Sequence, residues 1–515
     1  MIIDIVIDWI QGRGGLEDVL TTVSNELTNK GHEVRIFQPY KPIHEEWTKT
    51  LPYTDYYGSN NINEDNIETL AMGYRKKILE TKKPDVIIAT HSPGLSYICS
   101  KAIEFLGEDK VPIISWLHCI PEIFGNEWLL QYSDAHLAIS RYIGEKISNY
   151  ANKDSEIYYI GNPDNASSYE FINQSKKKMK YIYIGRLSNH QKRLDIIFKA
   201  LSLIEDDFEY ELDIIGDGPD RTYLENLAVE LNIDKNINWL GWVDKPWEKV
   251  ELATALILSS DYEGCPMVLI QSLGRGIPVI ATDCSGVTDI INNDENGWIF
   301  EKCNYTQLYK ILNDIYIGKK ILPSQENCKK SVEKFETKNV VEKIEIILLK
   351  YKTLFEYNKE KLKLKNLILS FISNKDFEQA NKFIESYKEI FGDDIELKDI
   401  EIELMLEKND IYSAFKLVKE VLKKDNSNYS ILLKAGYLEY LNKNYIYSIK
   451  YYYEAFNINN SESILDIIDS IYFTIIAQVE IDKEFVLNHD ELVGNIDINT
   501  KYYMEYIYKT KEYNR

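Results

Sequence analysis

The chain opens on an apolar run, residues 2–8 (IIDIVID), that reaches the glycine-rich turn Gly12-Arg13-Gly14-Gly15. A helical spacing of apolar residues follows over 16–30 until Gly31 stops it. Strand, glycine turn and helix in that order open a doubly wound α/β unit. Further runs at 33–38, 85–90, 113–117 and 136–139 predict more strands, so residues 1–165 form one Rossmann-like domain ending near Asn162-Pro163. The polar, lysine-rich stretch 173–180 is expected to be a linker. Alternation then resumes, with strands at 181–184, 211–215, 237–240, 256–259 and 279–282 and helices at 194–204, 221–231, 267–273 and 306–315. The fold class is therefore α/β, with a second Rossmann-like domain over 178–335 facing the first across a cleft, the kind of place where small ligands bind.

A helix over 338–351, within a segment 336–356, is predicted next. Beyond about residue 357 glycines and strand signals fade, and a longer period takes over. Asp376-Phe377 with Ala380, Asp410-Ile411 with Ala414, and Asn444-Tyr445 with Ser448 recur every 34 residues, the tetratricopeptide period. The small residue of each set belongs where two helices approach closely, and Lys375, Asn409 and Lys443 fall in the turns. This predicts all-α helical repeats over 357–475 and a helical tail over 476–515; a plain helical bundle is the alternative. The tyrosines at 451–453 are expected to be partly exposed, on a surface suited to a protein partner or to self-association.

Composition narrows the function. A length of 515 residues with 44% hydrophobic content supports several packed domains. A net charge of −22 argues against a nucleic-acid partner, which needs clustered Lys and Arg. The short basic runs at 75–77 and 176–178 allow at most peripheral contact with an anionic membrane, and a solvated face is the commoner explanation. No apolar stretch is long enough to span a bilayer, and residues 1–10 carry Asp4 and Asp8 without a basic lead, so a cytoplasmic protein beginning at Met1 is expected. Six cysteines without a C-x-x-C pair or a His/Cys cluster indicate reduced thiols and no zinc site.

The candidate chemistry sits at predicted strand ends. Gly185-Arg186-Leu187-Ser188-Asn189-His190-Gln191-Lys192 follows a strand of the second domain, the position at which open α/β sheets bind ligands. Arg186 and Lys192 can neutralise a diphosphate there. The next strand exits into Gly216-Asp217-Gly218-Pro219, whose glycines permit close backbone approach, and the segment ending at Val243 (NINWLGWV) offers an apolar loop for a flat base. Glu263-Gly264-Cys265-Pro266 then leads into a helix whose first N–H groups, at Met267 and Val268, suit a phosphate. His118 ends a strand of the first domain and is expected to point into the cleft. Gly14 and Gly15 form the first loop, and Glu17 complements the dipole of the helix that follows.

In this order the motifs resemble the retaining GT-B glycosyltransferases that carry an E-x7-E element (glycosyl transferases group 1). Within that group the ISWLH stretch and the Gly185-Arg186-Leu187-x4-Lys192 loop look most like lipopolysaccharide-core galactosyltransferases. The resemblance covers residues 1–350. It implies that Arg186 and Lys192 hold the donor diphosphate, that Glu263 contacts the donor sugar, and that His118 lies beside the transferring sugar. Gly14, Gly15, Gly216, Gly218, Val243, Cys265, Pro266, Met267 and Val268 would complete the donor site. The second Glu of the element, which binds ribose in the family, is here Gln271; an amide keeps an acceptor but loses charge-assisted strength, so a Glu in its place is expected to tighten ribose binding. A hexosyltransferase is implied, taking a nucleotide-sugar donor, UDP-sugar foremost, and a glycan, lipid-linked or protein acceptor, as in polysaccharide biosynthesis. The sequence places no D-x-D motif at a suitable strand end, so no metal and no cofactor are expected. A repeat scaffold with a degenerate nucleotide-sugar-sensing domain and a GT-B-fold nucleotide-sugar epimerase are the alternatives.

Overall fold

A computed structural model describes residues 1–471 apart from 13, 60–64, 176–177, 206–207 and 469. The expected tail at 476–515, the last residues of the expected repeat segment, Arg13 and most of the second basic run lie outside the described residues. The chain divides into two compact units, Met1–Phe355 and Glu356–Arg515.

The first unit holds two large parallel sheets and a two-stranded one. One runs β3-β2-β1-β4-β5-β6-β7, from β1 (Ile2–Ile7), β2 (Glu33–Gln38), β3 (Thr54–Tyr56), β4 (Val86–Thr90), β5 (Ile113–Leu117), β6 (Ala135–Ala138) and β7 (Glu156–Tyr159). Its helices are α1 (Gly15–Asn29), α2 (Ile67–Glu80), α3 (Gly94–Ile103) and α4 (Arg141–Ser148). The central strand β1 is buried on both faces, which is why it reads as a continuous apolar run. Its one charge, Asp4, is tolerated because Arg35 on β2 pairs with it at 2.6 Å and the Tyr74 hydroxyl donates to it at 2.7 Å. Burial nevertheless raises the Asp4 carboxyl to about 6.

The stretch expected to be a linker instead contributes β8 (Asn173–Gln174), paired with β12 (Leu252–Ala253). The second large sheet, six-stranded, runs β11-β10-β9-β13-β14-β15. Its strands are β9 (Met179–Ile184), β10 (Tyr210–Ile215), β11 (Ile237–Gly241), β13 (Ala255–Leu258), β14 (Val279–Thr282) and β15 (Gly297–Phe300). With them go α5 (Asn189–Lys192), α6 (Leu194–Leu201), α7 (Arg221–Glu230), α8 (Met267–Gly274), α9 (Tyr305–Tyr316) and α10 (Gln325–Ser331). The chain crosses between the sheets twice, side by side. The Asp164 N–H donates to the Phe335 carbonyl at 2.8 Å, and the Thr337 N–H to the Asp164 carbonyl at 2.9 Å.

The predicted helix 338–351 is the start of a much longer one, α11 (Thr337–Ser373), which passes through the expected boundary at 357 without a break. Its first turns lie on the first sheet's domain, where Glu345 pairs with Lys30 at 2.7 Å and Lys352 with Asp85 at 3.3 Å.

In the second unit, α12 (Phe377–Phe391), α13 (Ile395–Glu407), α14 (Ile411–Lys424), α15 (Tyr429–Leu441) and α16 (Tyr445–Ile458) form helix pairs. The 34-residue signal has a local cause. Lys375, Asn409 and Lys443 each adopt a left-handed backbone, φ 59°, 60° and 60°. Each turn closes with the same two hydrogen bonds, as where the Lys375 N–H meets the Ile372 carbonyl and the Asp376 N–H meets the Phe371 carbonyl, the αL ending common at helix C-termini. Ala380, Ala414 and Ser448 are fully buried at the crossings. Of the three tyrosines, Tyr452 is buried in the local core, and Tyr451 and Tyr453 are half-buried against it.

Candidate active site

The C-terminal ends of β9, β10, β13 and β14 bring four loops together. The β9 loop runs from Gly185 to Lys192, and the β10 loop packs directly against it. A Cβ at Gly216 would lie 1.9 Å from the Gly185 carbonyl oxygen, and one at Gly218 would lie 2.4 Å from that of Leu187. These two glycines therefore serve loop-to-loop contact; no larger residue fits. Arg186 is exposed on this surface and forms no ion pair among the described residues.

Lys192 is half-buried, and its Nζ lies 2.7 Å from Glu263 Oε1. The Ser260 hydroxyl donates to the same oxygen at 2.6 Å. The group expected to hold phosphate and the group expected to hold sugar are thus joined in one ion pair. The turn that presents Glu263 is fixed from the β14 loop, where the Ser285 hydroxyl donates to the Glu263 carbonyl at 2.6 Å. Gly286, at φ +80°, allows that approach, since a Cβ there would lie 2.2 Å from the Gly264 carbonyl oxygen. Cys265 and Pro266 are buried under the turn. Pro266 caps α8 without any side-chain hydrogen bond, which leaves the first N–H groups, at Met267 and Val268, without a capping side chain among the described residues. Val243 is half-buried at the exit of β11, beside the exposed Trp242.

Gln271 has partners the sequence did not suggest. The Trp247 indole N–H donates to its Oε1 at 2.9 Å. Its amide lies beside Asp164 at the domain crossing, whose carboxyl burial raises to about 6 against the opposing influence of Tyr169, Arg275 and Gln271. Arg275 stacks between the Tyr169 and Trp247 rings, 3.6 and 4.6 Å from their centroids. The carboxylate that the family keeps on the helix is absent here, and a carboxylate stands across from the amide instead.

From the first domain, Gly14 and Gly15 begin α1, and Glu17 does more than complement a dipole. It is buried, and its Oε1 accepts the Gly12 N–H at 2.9 Å, which pins the glycine loop. His118 extends β5, its ring 4.6 Å from the Trp116 ring and its Nε2 buried without a partner among the described residues. Burial first, and then neighbouring His91, lowers its pKa to about 3, so the imidazole is neutral. The two domains touch here, because a Cβ at Gly264 would lie 2.3 Å from the His118 carbonyl oxygen. Sequence reading passed over His91, Asp8 and Trp247, although His91 follows a predicted strand just as His118 does.

Comparison with known proteins places the two sheet domains. The glycosyl transferases group 1 family matches residues 166–335, and glycosyltransferase family 4 matches residues 13–165. The chain carries a group 1 domain and a family 4 domain, and it is a glycosyltransferase. This glycosyltransferase is 28% identical over 355 residues to the lipopolysaccharide 1,6-galactosyltransferase of Escherichia coli K12, covering 66% of this chain and 96% of that one. It is 28% identical over 302 residues to the Salmonella typhimurium enzyme of the same name, covering 56% and 83%. Among solved structures, the apo lipopolysaccharide outer core galactosyltransferase WaaB superposes with a TM-score of 0.62 at 26% identity, over 67% of this chain and 98% of that chain. Anabaena HepE, solved with UDP and glucose, shares the fold at 16% identity and TM-score 0.55, over 68% and 99%.

Proposed function

We propose that this glycosyltransferase moves a hexose, with retention, from a UDP-sugar to a glycan, glycolipid or glycoprotein acceptor in bacterial surface-glycan synthesis. The work would be done in the cytoplasm, with at most peripheral contact at the inner face of the membrane. The observation that carries the reading is the Lys192–Glu263 ion pair at the mouth of a helix whose first N–H groups have no side-chain cap among the described residues. On the same β9 loop as Lys192 stands Arg186, exposed and with no carboxylate partner among the described residues. Together they form a positive socket for a diphosphate, edged by a carboxylate that can accept from sugar hydroxyls. The donor's leaving diphosphate gains negative charge as the glycosidic bond breaks, and cations held in place by the fold stabilise it without reorganising.

His118, neutral at physiological pH, offers a hydrogen bond to the transferring sugar and adds no charge. Gly14 and Gly15 let the first domain's backbone approach the same group. The likeness to galactosyltransferases at 28% identity favours UDP-galactose as the first donor to try. Because protein cations supply the charge, turnover should persist in EDTA. Turnover of UDP-galactose and UDP-glucose, with GDP-mannose as the control, tests the reading. Binding without turnover of any donor would favour a sensor, and release of free nucleotide without a glycosylated product would favour an epimerase.

A further inference from the structure

The first domain presents a second histidine, His91, beside His118. His91 directly follows β4, and its N–H continues the ladder by donating to the Trp116 carbonyl at 3.2 Å. Its backbone is left-handed, φ +92°, a conformation a β-carbon disfavours and that glycine would adopt without cost. Its ring stands edge-on to Phe124, 5.0 Å between centroids, and its Nδ1 is buried with no partner among the described residues. Asp8, just past β1, lies close enough for its charge to act on the ring, and it is held in place by the Ser92 hydroxyl at 2.8 Å. Backbone strain, a buried unpartnered nitrogen and a fixed carboxylate meet at one point past the C-terminal ends of the central strands. A residue serving only the fold would be relieved of the strain by glycine and of the unpartnered nitrogen by an apolar side chain.

Topology says which substrate meets it. The turn at Glu263-Gly264 closes on the ends of β5 and β6, since a Cβ at Gly264 would abut the His118 carbonyl and the Ile139 side chain. The ends of β4 and β1 lie on the other side of His118 from that contact. The donor's phosphates are assigned to the second domain, so a group beyond His118 meets what enters from the first.

We infer that His91 is a second imidazole of the reaction centre, one that hydrogen-bonds a hydroxyl of the acceptor sugar. This rests on the reading of the chain as a transferase acting on a glycan. A neutral imidazole can accept from a hydroxyl at one nitrogen and donate at the other, and the rigid turn holds it in register with His118.

The strain makes the test clean. His91→Gly removes the ring and relaxes the backbone, so it should melt no lower than the parent; His91→Asn tolerates positive φ and keeps a hydrogen-bonding group. With the full chain, UDP-galactose and lipopolysaccharide core saccharide lacking galactose, His91→Gly should raise the acceptor KM at least tenfold. UDP affinity by calorimetry should stay within twofold, and His91→Asn should recover part of the loss. An unchanged acceptor KM in His91→Gly overturns the inference, as does a loss of UDP affinity. If the parent chain moves no galactose to this acceptor, the substrate reading fails separately, and the wild-type ring still decides. In ¹⁵N-histidine-labelled protein saturated with UDP, the His91 resonance, assigned through its contact with Phe124, should shift saturably with methyl α-glucoside. A resonance that does not move would sink the assignment.

Discussion

Arg186 and Lys192 carry like charge but stand in different surroundings, so their loss should read differently. Arg186 touches no carboxylate among the described residues, and Arg186→Ala should lower kcat roughly a hundredfold, about 2.7 kcal/mol of transition-state stabilisation, with the melting temperature unchanged. Lys192→Ala should lower kcat at least as much, and it also leaves Glu263 with Ser260 as its remaining side-chain partner. Steady-state kinetics beside thermal melts separate the two. For Gln271 the structure reverses the expectation from sequence. A carboxylate at that position would face Asp164 across a buried contact, so Gln271→Glu should weaken UDP binding, and adding Asp164→Asn should restore it; calorimetry of both variants checks this. His118 gives a pH signature. Its ordinary pKa of 6.5 falls to about 3 in the fold, so the unfolded chain binds more protons between those values, and the stability gained from its burial is lost as pH falls through that window. Asp164 works the opposite way, since its carboxyl rises from 3.8 to about 6 and stability falls as pH rises through that interval. Melts of His118→Asn and Asp164→Asn from pH 4 to 8 should therefore diverge from wild type in opposite directions.

Among the elements, the strands buried on both faces were legible as apolar runs, and their ends located the cleft loops. Besides the β8–β12 pair, three strands went unread, β3, β7 and β15, and all three stand at sheet edges. They are short, β3 and β7 are only partly buried, and β15 begins on a glycine. Such strands exist because a neighbour offers its backbone groups, which no local pattern records. The same reason explains why residues 173–174 looked like linker and proved to pair with β12. The tertiary partners of Gln271 were likewise out of reach, since Asp164 and Trp247 lie far from it in sequence. The repeat turns were legible because their cause is local. That cause is testable: Lys375→Gly and Lys443→Gly each place the residue suited to a left-handed turn, and each should stabilise the second unit by about 0.5–1 kcal/mol, with a smaller gain for Asn409→Gly. Urea denaturation followed by far-UV circular dichroism would show it.

For the whole molecule, the first unit ends at Phe355 while α11 continues to Ser373. The donor loops and His118 all lie within the first unit. A chain shortened to residues 1–356 should bind UDP as the full chain does, while transfer to the natural acceptor or self-association is impaired; calorimetry, a transfer assay and light scattering report the three. Loss of UDP binding in a folded shortened chain would mean the helical repeats help build the donor site. The double crossing near Asp164 carries a further consequence. A single tether lets two bodies swivel, whereas two tethers side by side act as the pins of a door and leave one angle free. At Gly161, φ +76°, a Cβ would lie 2.7 Å from the Phe335 ring, so the two pins are seated against each other with no play. Opening and closing should then follow one coordinate, and distances measured between several label pairs placed across the two sheets should all rise and fall in fixed proportion.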